Sequence, residues 1–200
     1  MRPHLSDVLK ALGACNSTSL AAVPWALSYG TAWEEALAAC PYPTWLWWLA
    51  ARLLSLKHFP AEPLALCAAA TCRLVVPHIA EDVGVANHAL DVIERWGFGG
   101  ATVEEVRQCQ PVVLEAHCAS KGPYYYNVYV AVRLVGTTLA RPWGPSEDRA
   151  VLRARVPNDF DSISYGVRDQ AHLLAIARRI LGPHLFVGLQ TYADSLKEKS

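Results

Sequence analysis

Between Thr44 and Leu54 the chain reads Thr-Trp-Leu-Trp-Trp-Leu-Ala-Ala-Arg-Leu-Leu, eleven residues with a single charge. At helical spacing Trp45, Trp48, Leu49 and Arg52 share one face, while Leu46, Trp47, Leu53 and Leu54 make the other sides apolar as well. A helix that is apolar all round has no face to give to water, so it belongs at the centre of a fold with other elements packed on its flanks. So many indoles in one helix also suit a tryptophan-lined pocket or a partner surface. Packing is the reading adopted here, and Trp45, Trp47 and Trp48 are expected to be consumed by the core.

The neighbours of this helix read as helices too. Ser6 stands where it could cap Asp7 to Leu12, with Gly13 as the stop. Thr31-Ala-Trp-Glu34 has a capping-box pattern and opens a short helix reaching Cys40, which Pro41-Tyr-Pro43 breaks. Pro63 suits the first turn of a run through Val76, and Val83 to Trp96 follows, stopped by Gly97, Gly99 and Gly100. Thr102-Val-Glu-Glu105 is a second capping box, opening a helix to about Ser120. Gly122-Pro123 separates it from Tyr124 to Ala140, a stretch whose Tyr and Val content also suits a strand and whose surroundings favour helix. Arg141-Pro-Trp-Gly-Pro145 marks a boundary between a helical body, residues 1–140, and a C-terminal extension, residues 141–200, packed on the same core. That extension is read as a short helix from Ser146 to Val156 and a longer one from Asp161 or Ser162 to Leu181, closed by Gly182-Pro183. The fold class expected is all-α, an irregular multi-helix bundle of antiparallel helical hairpins.

With 200 residues the chain fits one large domain or two small ones, and buries roughly 70% of its unfolded surface, enough to fold without a staple. Lys plus Arg equals Asp plus Glu, so the net charge is zero and the basic footprint of a general nucleic-acid binder is missing. A neutral surface also does little to keep copies apart, which leaves self-association open. Six cysteines, at 15, 40, 67, 72, 109 and 118, form no CxxC and no zinc-finger spacing; Cys67, Cys72, Cys109 and Cys118 lie in Ala/Val/Leu-rich helical runs and read as buried thiols. Met1 to Gly30 makes a poor signal peptide, and the longest uncharged apolar stretch, Trp45 to Ala51, is far too short to span a bilayer. A cytoplasmic location with reduced cysteines is the expectation, without membrane or nucleic-acid partners.

Signatures of chemistry are scarce. His88 and Asp91, with Glu94 and Arg95 one turn on, lack the second histidine or HExxH context of a metal site and read as a solvated helix face. The acid pairs Glu34/Glu35 and Glu104/Glu105 fall in first helical turns, where negative charge favours the dipole. No GxSxG, P-loop or GxGxxG occurs. Arg149, Arg153 and Arg155 are interleaved with Asp148, Asp159 and Asp161, a mixed-sign pattern of a solvated or salt-bridged face. No catalytic residue, metal or cofactor is therefore assigned. The tyrosine cluster Tyr124, Tyr125, Tyr126 and Tyr129 is the candidate binding surface; Tyr125 and Tyr129, at i and i+4, are the partner-binding residues expected to project together.

One stretch resembles a known family. Trp33, then Cys40, then Thr44-Trp-Leu-Trp-Trp-Leu-Ala-Ala-Arg-Leu is similar to the signature of small helical immunity proteins of bacterial polymorphic-toxin systems, the immunity-five-like group. Their Ala/Cys-rich helix corresponds to Leu64 to Pro77, with Cys67 and Cys72. Their next helix, glycine loop and Ala-Thr-x-Glu-Glu element correspond to Ile93-Glu-Arg-Trp96, Gly97 to Gly100 and Ala101-Thr-Val-Glu-Glu105. The resemblance covers residues 14–120, while Pro41-Tyr-Pro43 and everything after Pro123 depart from it. It implies a protein that binds and neutralises a cognate toxin with no chemistry of its own. Two rival readings stand beside it: a structural or accessory assembly protein of a phage or particle, and an enzyme with a metal held by His78, Glu81, His88 and Asp91.

Overall fold

The computed structural model describes residues 2–14, 22–79, 83–120, 124–140 and 146–198, the last segment without the side chains of 146–150. Cys15, Glu81, the Gly122-Pro123 step and the 141–145 loop lie outside the described residues. Ten α-helices and no strand occur among those described: α1 (Leu5–Ala11), α2 (Ala22–Leu27), α3 (Trp33–Ala39), α4 (Pro43–Ser55), α5 (Glu62–Arg73), α6 (Gly84–Gly97), α7 (Val103–Ala119), α8 (Tyr124–Arg133), α9 (Ser146–Ile163) and α10 (Gln170–Lys197). A 3₁₀ turn follows α5 at Val76–His78, and α8 runs on into a π-helical stretch at Leu134–Leu139.

The apolar helix α4 is central. Leu46, Trp47, Leu49, Ala50, Ala51 and Leu53 are buried, and α9 and α10 straddle it on two flanks. Trp47 stacks on Phe160 of α9, with ring centroids 4.9 Å apart. A second inner helix, α5, is built from small residues: Ala65, Cys67, Ala68, Ala69 and Cys72 are fully buried, and this lets α6, α8 and α10 pack around it. Consecutive helices from α5 to α9 pack in sequence, α5 on α6, α6 on α7, α7 on α8 and α8 on α9. The extension after residue 140 shares the core of the body, since Leu152, Val156, Phe160, Leu181, Leu185 and Leu189 belong to the same buried cluster as Trp33 and Trp47.

Polar side chains pin particular helix pairs. Arg73 at the end of α5 reaches Asn87, Asp91 and Glu94 along α6, a fork that one guanidinium can satisfy. Arg133 of α8 bonds Asp159 of α9 at 2.6 Å. Asn127, buried in α8, directs its amide nitrogen to the carbonyls of Ser162, Ile163 and Tyr165 at 3.2, 2.7 and 2.8 Å, closing the free end of α9. Gly166 then takes a φ of 86°, the left-handed conformation that turns the chain into α10.

Several local expectations are corrected. Thr102 forms its capping box in full, its hydroxyl accepting from the Glu105 N–H while Glu105 accepts from the Thr102 N–H. Thr31 does not cap α3: Ala32 is the N-cap residue, and Trp33 is drawn into the core with its indole N–H donating to the Pro3 carbonyl at 3.2 Å. Ser6 lies inside α1, paired with His4 rather than capping. The expected stop at Gly182-Pro183 is absent, and α10 continues through Pro183 to Lys197. Likewise α9 continues through Pro157, and the break falls at 164–169.

Candidate functional site

Tyr125 is corrected as a partner-binding residue: only 3% of it is exposed, because α8 is covered on nearly every side and Val128, Val130, Ala131 and Val132 are buried with it. Tyr129 is half-buried against the core, and the outward tyrosine is Tyr126, which meets His117 of α7 at 5.4 Å and Tyr129 at 6.4 Å. The signal for this was present in the sequence. Arg133 and Thr137, seven and eleven residues after Tyr126, carry polar groups and mark the wet stripe on which Tyr126 and Tyr129 also fall.

Trp47 is buried as expected, but Trp45 and Trp48 are only half-buried. Together with Arg52 they form one stripe of α4 that borders a cavity also lined by residues of α1, α2 and α3. Their expected consumption by the core is therefore corrected for two of the three indoles.

Of the residues considered for a metal, Asp91 is engaged by Arg73 and His78 lies against Tyr124, ring centroids 5.6 Å apart. His88 lines a groove described below, and Glu81 lies outside the described residues. Among the described residues no three His, Cys, Asp or Glu side chains gather as a metal site. Cys40, Cys67, Cys72 and Cys109 are buried free thiols, whereas Cys118, expected to be buried with them, is corrected: it is free and exposed on α7. Burial pushes the Cys40 thiol up to about 11 and Cys67 up to about 12, so neither is a thiolate at neutral pH. Among the described residues no helix is long and apolar enough to cross a membrane.

A concavity with a defined floor lies between α6 and α7. Both helices are amphipathic, and their inner stripes meet while their shoulders part, leaving a groove of about 540 Å³. Ala89 and Val92 of α6 and Cys109 and Val113 of α7 make its buried, apolar floor. Val112, half exposed, forms one lip, and His88 and Gln108 stand on the rim. One end is closed by Arg95 and Glu105, 3.4 Å apart. Bonds from the Thr102 N–H and hydroxyl, reinforced by Arg95, hold the Glu105 carboxyl below the usual range, so this end stays an ion pair at neutral pH. The groove's shape and apolar floor suit the side chains of another protein, and its length along α6 matches about three helical turns.

No family model, no curated protein and no solved structure matches this chain in comparison with known proteins.

Proposed function

We propose that this chain is a non-catalytic protein-binding protein, an immunity-type inhibitor that holds a cognate bacterial toxin. The observation carrying the binding reading is the apolar-floored groove between α6 and α7, with Val112 exposed at its lip. A groove of this kind takes an amphipathic helix through anchors spaced at i, i+3 or i+4, and i+7. The immunity reading rests on the resemblance, and the segments that carry it, Ile93 to Trp96 and Ala101 to Glu105, supply Arg95 and Glu105 at the closed end of this groove.

Val112 is the residue to test, because it is half exposed and its substitution leaves the core intact. Val112→Glu places a charge on the lip, and the expected result is an unchanged thermal midpoint with affinity for the neighbouring gene's product lower by about 2 kcal/mol or more. Protection of cells producing that toxin is lost in parallel. Full protection by the variant, or a neighbouring product that does not bind the native chain, overturns the reading. Concentration-dependent oligomers of the native chain, dissolved by the same substitution, would instead favour the assembly role.

A further inference from the structure

Another concavity, of about 380 Å³, lies where element ends converge: the 3₁₀ turn after α5, the start of α8, and the turn that leads from α9 into α10. Val167 is buried and Leu74 half-buried, and with the half-buried ring of Tyr124 they give the cavity an apolar side. The turn beneath it is held at two places. The carbonyls of Ser162, Ile163 and Tyr165 are tied to Asn127. Gly166 lets the Tyr124 ring lie against the turn, since a Cβ there would stand 3.2 Å from the Tyr124 Cε1. On its other side the Tyr124 ring meets the His78 imidazole, centroids 5.6 Å apart.

The rest of the wall carries two opposite charges side by side. Arg168 and Asp169 both line the cavity and are exposed, yet they form no ion pair with each other. Among the described residues the Arg168 guanidinium has no hydrogen-bond or ion-pair partner at all. Asp169 uses one carboxylate oxygen, Oδ1, to accept from the His172 N–H at 2.9 Å as the N-cap of α10, and its second oxygen is without a partner among the described residues. His78 and His172 complete the wall, and with Asp169 they do not gather as a metal site. A simple anion entering here meets the Asp169 carboxylate, and a simple cation meets the Arg168 guanidinium. A molecule that carries both charges on one carbon meets an opposite charge at each, and a guanidinium fork matches a carboxylate in geometry as well as in sign.

We propose that this cavity binds a free amino acid with an apolar side chain, its carboxylate on Arg168, its ammonium on the open oxygen of Asp169, and its side chain against Leu74, Val167 and the Tyr124 ring. Size agrees: an apolar cavity of about 150 Å³ holds benzene, so about 380 Å³ holds an aliphatic or aromatic side chain together with the charged head. Exposed charges are screened by water, so the two head-group contacts set selectivity while the buried side chain supplies most of the affinity. The site shares no residue with the α6/α7 groove and does not depend on the protein-binding reading.

The test is titration of the intact, isotope-labelled protein with leucine, phenylalanine and tryptophan, followed by its backbone amide NMR shifts. The expected result is saturable binding of at least one of the three with a Kd of about 1 mM or tighter, and shifts concentrated in the turn before α10 and its first turn. The N-acetyl form of that amino acid lacks the ammonium and its amide form lacks the carboxylate; each should bind about tenfold more weakly or worse. Arg168→Gln should weaken the amino acid by about tenfold and leave the amide form as it is in the native protein. Asp169→Asn keeps an N-cap oxygen for the His172 N–H, so it should weaken the amino acid to a similar degree and leave the N-acetyl form unchanged. Both residues are exposed, so both variants should keep the native thermal midpoint, and either one carries the test alone if the other does not fold. Binding of all three amino acids weaker than about 1 mM, a blocked form that binds as well as the amino acid, shifts that spare the α10 start, or native affinity in a folded variant would overturn the proposal.

Discussion

Asp159 shows how one buried charge can be both a tie and a cost. It is buried in α9, and its partner Arg133 on α8 reaches it at 2.6 Å. Burial pushes the carboxyl above its ordinary range, and Arg133 only partly opposes this. With the folded value raised, this group's contribution to stability is complete at low pH and is lost as pH rises through that value. Replacing Arg133 with Met leaves the carboxylate unpaired and raises it further, so Arg133→Met should cost about 2–3 kcal/mol at pH 7. The loss should shrink as the pH falls and Asp159 is protonated. Asp159→Asn removes the charge that burial penalises, and its midpoint at pH 7 should stay within about 1 kcal/mol of the native one. Urea unfolding of the three proteins across pH checks both; a penalty for Arg133→Met independent of pH would mean that the pairing is not what the arginine supplies. Residue-level contacts of this kind were partly legible. The mixed-sign pattern of Arg153, Asp159 and their neighbours suited a solvated or salt-bridged face, but Asp159 takes Arg133 of α8 as its partner, a pairing that depends on α8 and α9 meeting. The same limit misplaced Tyr125: spacing puts Tyr125 and Tyr129 on one side of a helix, and only tertiary packing decides that this side turns inward.

Helices here run through their prolines, at Pro111 in α7, Pro157 in α9 and Pro183 in α10. A Gly-Pro step reads locally as a stop, yet α10 carries a buried stripe of Leu173, Ile176, Ala177, Leu181, Leu185, Leu189 and Ala193 that passes Pro183 without losing its phase. Burying four more turns of that stripe outweighs the one hydrogen bond Pro183 cannot donate to the carbonyl of Arg179. Continuity of the stripe was the better signal, whereas the Thr102 box was read correctly because its bonds are wholly local. Pro183 is itself exposed, so Pro183→Ala restores the missing donor at no cost in packing and should raise stability by about 1–3 kcal/mol. Five residues on, the expected sign reverses. A Cβ on Gly188 would stand 2.5 Å from the His58 carbonyl oxygen, and backbone cannot step aside, so Gly188→Ala should lower stability by about 1–3 kcal/mol. Thermal unfolding of the pair decides it; a destabilised Pro183→Ala would mean that the proline itself helps lay α10 against α4.

The all-round apolar character of residues 44–54 carried most of the architecture, since it demands helices on several flanks and α9 and α10 meet two of those demands from the far end of the chain. What it left open was the stripe of Trp45, Trp48 and Arg52, which borders a cavity shared with α1, α2 and α3; composition does not distinguish an indole wholly packed in the core from one facing a cavity. The boundary expected at 141–145 lies outside the described residues, and the Trp47–Phe160 stack joins the body and the extension into one core. Cooperativity follows from that joint. Removing α9 and α10 would strip two flanks of α4 at once, so the body and the extension should unfold together. The buried thiols give a direct readout. Cys40, Cys67, Cys72 and Cys109 report on α3, α5 and α7, and their raised pKa values leave almost no thiolate near pH 8, so they should react with a disulfide reagent only when the fold opens. Exposed Cys118 should react at once in native protein. Along a urea series, exposure of the four slow thiols and loss of far-ultraviolet helicity should share one midpoint, because helicity counts α9 and α10 while the thiols lie wholly before residue 140. Helicity lost at a lower urea concentration than thiol protection would show that the extension detaches first, and that the stack between Trp47 and Phe160 is too weak to make one cooperative unit of the chain.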